Sequence, residues 1–178
     1  MKTLSVVLLG LIMAALPAVA ADQSQPPAVG SQAPVFSLPS QGGAQISLDQ
    51  FKGKWVVLYF YPKDFSSGCT NEAHNFQRDI DHYTQKNAVI VGVSVDNVDS
   101  HQSFCTKEGL NFKLLADSNH VVVEKYGSIM EYNGMTLAAR HTFLIDPAGV
   151  IRKVYLKVSP QGHSEEVLSD LEQLQAAK

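Results

Sequence analysis

Hydrophobic runs and amphipathic periods alternate along most of the chain. The apolar stretches at 54–61 (KWVVLYFY) and 88–95 (AVIVGVSV) are rich in β-branched and aromatic residues, which predicts two fully buried strands. Between them, apolar residues recur at helical spacing and predict a helix over 69–86. Strands that alternate with helices in this way are typical of a sheet covered by helices.

The flanking segments add hairpins and a closing helix. Gly42-Gly43 predicts a turn between strands at 35–38 and 45–48. Further elements follow from the same patterns: helices at 100–108 and 119–126, a strand at 112–116, a hairpin of 141–146 with 150–156, and an amphipathic helix at 164–175. This order predicts an α/β fold with a central mixed β-sheet flanked by helices on both faces.

The first twenty residues have the pattern of a targeting segment. Lys2 precedes an apolar run over 4–16, and Ala18 and Ala20 are the small residues that a signal peptidase reads. The run is too short to span about 30 Å of hydrocarbon. We therefore expect residues 1–20 to be a cleaved secretory signal and 21–178 to form one exported domain, in a bacterial periplasm and free of the membrane after cleavage.

Composition excludes several classes of protein. With 17 acidic and 14 basic residues among 178, the net charge of −3 argues against a nucleic-acid surface. Two cysteines are too few for a disulfide scaffold or a Cys-rich zinc site. The six histidines lack metal-ligand spacing, and no phosphate-binding glycine motif is present, so we predict neither a metal nor a cofactor.

The candidate chemistry lies at residues 61–72, where a buried strand ends and a Pro-containing loop leads to Cys69 at the start of a helix. Ligands of open α/β sheets bind at the carboxyl ends of strands. The helix dipole and free N–H groups favour the thiolate of a cysteine at this position. A buried structural thiol is an equally good interpretation of the position alone, so the residues by themselves leave both open.

Pro62, Ser66 and Cys69 fill the pattern P-x-x-x-T/S-x-x-C, and this segment resembles the active-site loop of the peroxiredoxins. The surrounding FYPKD and GCT are similar to the bacterioferritin-comigratory, or Q-type, subfamily. The segment RHTFLID carries the arginine of that family at Arg140. The resemblance covers nearly all of residues 21–178.

The resemblance implies a thioredoxin-like fold with an N-terminal β-hairpin, and a thiol-dependent peroxidase that reduces hydrogen peroxide and organic hydroperoxides in antioxidant defence. Cys69 would be the peroxidatic thiolate at the mouth of a cavity, where peroxide oxidises it to sulfenic acid. Arg140 would stabilise the thiolate and orient the peroxide. Ser66 would donate a hydrogen bond to the peroxide, Pro62 would shield the thiolate from water, and the Cys69 N–H would complete the oxygen pocket.

Cys105 is the second cysteine, 36 positions after Cys69. Some Q-type members have a resolving cysteine five residues after the first, but here His74 occupies that position. Relatives with the resolving cysteine in a later helix imply that Cys105 closes an intramolecular disulfide, which a thioredoxin- or glutaredoxin-like thiol reductant recycles. Because a disulfide needs Cα atoms within about 7 Å, we expect both helices to unwind locally. The alternative is a small apolar residue packed beside Phe104. The subfamily implies a monomer.

Two other functions remain open. The first is an exported thiol–disulfide oxidoreductase on the same fold, although such enzymes use C-x-x-C and Glu72 stands at the second cysteine position here. The second is a non-enzymatic module whose Cys69–Cys105 disulfide is permanent and structural.

Overall fold

The computed structural model describes residues 25–177. The predicted signal peptide at 1–20 lies outside these residues. In chain order the elements are β1 (Ser37–Pro39), β2 (Gln45–Ser47), a 3-10 helix (Leu48–Phe51), β3 (Trp55–Phe60), α1 (Ser67–Arg78), α2 (Ile80–Gln85), β4 (Ala88–Ser94), α3 (Val98–Glu108), β5 (Lys113–Ala116), α4 (Val121–Lys125), β6 (Ile129–Tyr132), β7 (Met135–Ala138), β8 (Thr142–Ile145), β9 (Ile151–Tyr155) and α5 (His163–Ala176).

The central sheet has five strands in the order β5-β4-β3-β8-β9. Strands β3, β4 and β5 run parallel, whereas β8 pairs antiparallel with β3 and with β9. Every residue of β3 is buried, as its unbroken apolar run predicts for the middle strand of a sheet that is covered on both faces. The predicted mixed sheet is therefore confirmed.

Alternate side chains of β3 enter two separate cores. Val57 and Tyr59 pack with residues of α1, α2, α3 and α5 on one face of the sheet. Leu58 and Phe60 pack on the other face with α4, the 3-10 helix and the segment before β1. Helices thus cover both faces as predicted, and Cys69 and Cys105 belong to the same core.

Both predicted hairpins form. Strands β1 and β2 pair from Ser37 opposite Ser47 across the Gly42-Gly43 turn. Between β8 and β9, the Asp146 carboxylate accepts hydrogen bonds from the N–H groups of Ala148 and Val150, at 2.9 and 3.0 Å. These bonds fix the turn by satisfying its exposed backbone donors.

The helix predicted over 69–86 is divided at Asp79, which was not anticipated. The Asp79 carboxylate accepts two hydrogen bonds from Arg78, at 2.8 and 2.7 Å, and one from the Ser164 hydroxyl at 2.7 Å. Asp79 thereby fixes the junction between α1 and α2 to the start of α5. Apolar spacing continues through this junction, so periodicity alone does not reveal the break.

Strands β6 and β7 form a hairpin that the sequence analysis missed. Asn133 and Gly134 take positive φ values of 50° and 75° at its turn. Asn-Gly is the strongest short hairpin signal, because both turn positions need positive φ. The flanking strands are mostly half-buried or exposed, so they lack the apolar run on which the other strands were predicted.

Within residues 25–177, no helix is both long enough and apolar enough to cross a membrane.

Candidate active site

Cys69 is the third residue of α1, directly after the loop that follows β3. The ladder of this helix begins with Thr70 N–H donating to the Ser66 carbonyl at 2.9 Å. The N–H of Cys69 therefore lies in the first turn, where the helix dipole presents its positive end. The residue is only 1% exposed, so the expected position at an open cavity mouth is wrong. Side chains of the shared core cover the sulfur.

Arg140 contacts this sulfur from the segment before β8. It lies just before β8, whose pairing with β3 places Thr142 opposite Tyr59. This antiparallel register brings position 140 to the carboxyl end of β3. The guanidinium Nη2 donates to Cys69 Sγ at 3.2 Å, and the Arg140 side chain is 19% exposed. A partly solvated cation thus contacts the buried sulfur and stabilises negative charge on it.

Glu72 is a site residue that the sequence analysis did not single out. Its side chain is fully buried, and Oε2 accepts a hydrogen bond from Arg140 Nη1. Burial raises the pKa of Glu72 to about 7, although Arg140 acts in the opposite direction. Its spacing of three residues from Cys69 places both on one helix face and was the available signal. Glutamates in helices are usually exposed, so the sequence does not reveal this burial.

The two neighbours of Arg140 change its electrostatics in turn. Burial lowers the pKa of the guanidinium, but Glu72 and Cys69 outweigh burial and raise that pKa above its ordinary value. Arg140 therefore stays charged while it contacts a sulfur on one side and a carboxylate on the other. The guanidinium also passes close to Gly68, where an added Cβ would lie 3.4 Å from Nη2. Side chains longer than alanine at this position would meet the cation.

The remaining predicted residues lie in the loop before α1. Pro62 is half-buried and lies two positions after Phe60, the last residue of β3. Ser66 is the N-terminal cap position of α1, and its hydroxyl donates to the Lys63 carbonyl at 2.9 Å. A hydroxyl has one proton, so this bond occupies the donor that was expected to serve a peroxide.

Cys105 lies in α3 and is 8% exposed. Both cysteines are free thiols in this structure. Burial raises the pKa of Cys105 to about 11, and the negative charge of Asp64 adds to the effect. The second cysteine is therefore protonated and unreactive at neutral pH while it stays in this position.

Other parts of the described chain offer different features. Among residues 25–177, no group of three or more His, Cys, Asp or Glu side chains is arranged to hold a metal ion. A cavity of about 560 Å³ lies between β1, β5 and the starts of α3 and α4, away from Cys69. Its walls include Asn97, Asp117 and Lys125.

Comparisons with known proteins agree with this geometry. The family model described as the AhpC/TSA family matches residues 29–154. A relative from Coxiella burnetii is 44% identical over 150 residues, which cover 80% of this chain and 97% of the relative. Peroxiredoxin Bcp of Bacillus subtilis is 38% identical over 153 residues, with 82% and 96% of the two chains covered.

Solved structures show the same relationship. A mutant of PrxQ from Xylella fastidiosa superposes with a TM-score of 0.80 at 34% identity, covering 83% of this chain and 97% of the other. Peroxiredoxin Q of Xanthomonas campestris superposes with a TM-score of 0.74 at 36% identity, covering 78% and 90%. The chain therefore belongs to the AhpC/TSA family, has the thioredoxin-like peroxiredoxin fold and is a thiol-dependent peroxidase of the Bcp/PrxQ type.

Proposed function

We propose that Cys69 is the peroxidatic cysteine and that its contact with Arg140 makes it reactive. The 3.2 Å hydrogen bond from Nη2 to Sγ is the single observation that carries this assignment. A thiolate is the nucleophilic form of cysteine, and a fixed cation beside the sulfur stabilises it. The first-turn N–H of Cys69 adds a second positive group at the same point.

The first step transfers one oxygen atom. The Cys69 thiolate attacks the terminal oxygen of a peroxide ROOH, the O–O bond breaks, and the products are Cys69 sulfenic acid and ROH once the leaving oxygen is protonated. Arg140 has donors for the charge that develops on the leaving oxygen. Cys69 is 1% exposed, whereas the Arg140 side chain that contacts its sulfur is 19% exposed, so the peroxide approaches the sulfur beside Arg140.

Ser66 and Pro62, in the loop before α1, have supporting roles in this step. The Ser66 hydroxyl turns from the Lys63 carbonyl to donate to the peroxide, exchanging one acceptor for another. Pro62 has no N–H, so it covers the site without adding a donor that would need water. The hydroxyl exchange predicts that Ser66→Ala weakens peroxide binding more than it changes the fold.

We propose that Cys105 resolves the sulfenic acid. Its thiol attacks Cys69 Sγ, a disulfide forms, and the hydroxyl of the sulfenic acid leaves as water with the thiol proton. Two Xanthomonas campestris peroxiredoxin Q structures carry serine mutations at cysteines 36 positions apart, the separation of Cys69 and Cys105. Both thiols lie in one core on adjacent helices, which further supports the pairing.

An external thiol reductant returns the disulfide to two thiols, as in peroxiredoxins that use thioredoxin. We propose a thioredoxin- or glutaredoxin-like donor, a monomeric enzyme and both hydrogen peroxide and alkyl hydroperoxides as substrates. A structural study of the Xanthomonas campestris bacterioferritin comigratory protein reports alkyl peroxide reduction activity for that protein. The signal-like segment at 1–20 supports export to a periplasm.

The alternatives have less support. A thiol–disulfide oxidoreductase would need a second thiol close to Cys69 in sequence, and a structural module would need a permanent disulfide. The family match favours peroxide reduction over both, and the two cysteines are free thiols here.

A single-turnover experiment tests the assignment of the two cysteines. One equivalent of peroxide is added to the reduced mature protein, to Cys69→Ser and to Cys105→Ser, and intact mass is followed. We expect a disulfide in the wild type, a persistent sulfenic acid in Cys105→Ser and no peroxide consumption by Cys69→Ser. Peroxide consumption by Cys69→Ser at the wild-type rate would contradict the assignment of Cys69. A sulfenic acid that persists in the wild type would contradict the assignment of Cys105.

A further inference from the structure

A buried carboxylate connects the active-site loop to the helix that carries Cys105. Asp64 is 3% exposed and accepts hydrogen bonds from three side chains. Tyr61 Oη lies 2.7 Å from its Oδ1, whereas Ser100 Oγ and His101 Nδ1 lie 2.7 and 2.8 Å from its Oδ2. We refer to Tyr61, Asp64, Ser100 and His101 as the Asp64 cluster.

The cluster joins two segments that are distant in sequence. Tyr61 and Asp64 belong to the segment that ends at Cys69, and Ser100 and His101 belong to the first turn of α3. A carboxylate without donors is strongly disfavoured in a protein interior. Loss of the α3 donors would therefore leave Asp64 poorly satisfied, so the loop and α3 are energetically coupled.

His101 shows how strongly the fold depends on this contact. Its ring is fully buried, and Nε2 has no hydrogen-bond partner. The Nδ1 atom contacts Asp64 Oδ2 at 2.8 Å and lies 3.3 Å from Tyr61 Oη. A buried ring with one unsatisfied nitrogen contributes little unless the bond at its other nitrogen persists. The favourable energy of His101 is thus concentrated in its bond to the active-site loop.

A neighbouring apolar contact joins the same two segments. The Phe65 ring packs edge-on against Phe104 with ring centroids 5.1 Å apart, and Lys107 Nζ lies 5.3 Å from the Phe65 centroid. Phe104 immediately precedes Cys105. Two adjacent loop residues, one charged and one aromatic, therefore hold α3 along its length.

We propose that Asp64, Ser100 and His101 are positioning residues for the resolution step, and that their hydrogen bonds set the rate at which the Cys69–Cys105 disulfide forms. The proposal rests on the assignment of Cys105 as the resolving cysteine. Cys105 is buried in α3, and we expect it to leave its packed position before its sulfur attacks Cys69. The Asp64 cluster opposes this movement because opening α3 separates Ser100 and His101 from Asp64.

The same contact transmits the oxidation of Cys69. A sulfenic acid adds an oxygen atom to a sulfur that is 1% exposed, so the preceding loop has to shift to accommodate it. Asp64 moves with that loop. Ser100 and His101, in the first turn of α3, then lose the carboxylate that accepts their hydrogen bonds. Oxidation at one cysteine thereby loosens the helix of the other.

This coupling decides between two fates of the sulfenic acid. Attack by the Cys105 thiol gives the disulfide and water. A second peroxide instead transfers an oxygen to the sulfenate, giving sulfinic acid and an alcohol or water, and this oxidation is irreversible without a dedicated repair enzyme. Weakening the Asp64 cluster therefore favours the disulfide and protects against sulfinic acid formation.

Ser100→Ala is the sharpest test because it removes one donor and leaves the remaining cluster. Ser103→Ala is the matched control, since Ser103 is an exposed residue of the same helix and gains the same helix propensity. We expect disulfide formation to be on the order of tenfold faster in Ser100→Ala, from the loss of one hydrogen bond to a charged group. Ser100→Thr retains the hydroxyl and should return the rate toward the wild-type value.

The measurement separates the two steps. Stopped-flow mixing with peroxide gives the rate of Cys69 oxidation, and acid-quenched intact mass gives the rate of disulfide formation. The first is expected to stay close to wild type, because Arg140 remains beside the sulfur. The peroxide concentration at which half of Cys69 becomes sulfinic acid should rise as disulfide formation becomes faster. If Ser100 had only a structural role, Ser100→Ala would be less stable, but disulfide formation would not become faster relative to Cys69 oxidation.

His101→Phe provides a second variant, which keeps a buried ring and removes both nitrogens. Disulfide formation in Ser100→Ala and His101→Phe that is no faster than in Ser103→Ala would overturn this inference alone. If His101→Phe fails to fold, the comparison of Ser100→Ala with Ser103→Ala decides. The absence of any disulfide in the wild type would instead overturn the role of Cys105, and this inference with it.

Discussion

Cys69 and Cys105 lie in the same core on neighbouring helices, but their surroundings affect negative charge on the sulfur atom in opposite directions. Cys69 stands in the first turn of α1 and accepts a hydrogen bond from Arg140 at 3.2 Å. Cys105 stands near the end of α3, where burial and the charge of Asp64 raise its pKa to about 11. Burial alone would suppress both thiolates. The proposed order of reaction, Cys69 before Cys105, therefore rests on the contact of Arg140 with the Cys69 sulfur and on the position of Cys69 in the first turn of α1.

Removing the cation should have the largest effect on this difference. We expect Arg140→Gln to lower the second-order rate of Cys69 oxidation by about 10²- to 10³-fold, because a preorganised donor to the developing charge is lost. The substitution also leaves the Glu72 carboxylate buried without its partner, so we expect a loss of about 3–5 kcal/mol in the free energy of unfolding. Stopped-flow kinetics and urea unfolding measure the two quantities.

The double variant Arg140→Gln/Glu72→Gln separates these effects. It removes both charges of the ion pair and should recover most of the stability, because no unpaired carboxylate remains. It should not recover the rate. A double variant that oxidises as fast as the wild type would show that the cation is not what distinguishes Cys69 from Cys105.

The second prediction concerns Cys105 alone, in the Cys69→Ser background. A pKa of about 11 instead of the ordinary 9.0 lowers its thiolate fraction at pH 7.5 by about 100-fold, since each pH unit changes that fraction tenfold. We expect iodoacetamide to alkylate this thiol at least that much more slowly in the folded protein than in urea. Intact mass against time gives both rates. Equal rates would show that the core does not suppress Cys105.

The sequence predicts those parts of the fold and of the candidate site that depend on residues close together in the chain. The loop that carries Pro62, Ser66 and Cys69 and the arginine before β8 were recognised from contiguous motifs. Buried strands followed from apolar runs that require no knowledge of tertiary contacts. The hairpin of 141–146 with 150–156 was equally local.

Interactions between distant segments could not be predicted in the same way. Arg140 and Glu72 are 68 positions apart, and Asp64 and His101 are 37 apart. Charged side chains are usually solvated, so neither Glu72 in α1 nor Asp64 in the loop before it shows its burial in the sequence. The burial of Cys69 was also missed, because the motif specifies the reactive residue and not what covers it.

The third prediction uses Glu72 to test the electrostatics on the Cys69 side. Its pKa of about 7 in the folded protein exceeds the ordinary 4.5, so the folded state binds the proton more tightly than the unfolded state. This contribution to stability is fully present below pH 4.5 and is lost as the pH rises through about 7. Relative to Glu72→Gln, the wild type should lose roughly 2–3 kcal/mol across that interval.

Urea unfolding at a series of pH values measures the effect. Glu124→Gln is the matched control, because it removes a carboxylate from an exposed helix position. The difference between wild type and Glu72→Gln should change with pH in the stated direction. If that difference is constant from pH 4.5 to 7, burial does not outweigh Arg140 at Glu72.

The smallest effect concerns Phe65, which lies in the loop before α1 and packs against Phe104 of α3. Its φ of 61° is left-handed, and its ring packs against Phe104 at 5.1 Å. Phe65→Ala should lose about 1 kcal/mol of unfolding free energy from the ring contact. Phe65→Gly should be more stable than Phe65→Ala by about 1 kcal/mol, because glycine adopts positive φ without a Cβ clash.

Ser103, inside α3, is the control position. There the same two substitutions should show the opposite order, with alanine more stable than glycine by about 1 kcal/mol. Urea unfolding of the four variants measures both differences, and the same order at both positions would mean that the loop relaxes its backbone when the aromatic contact is removed.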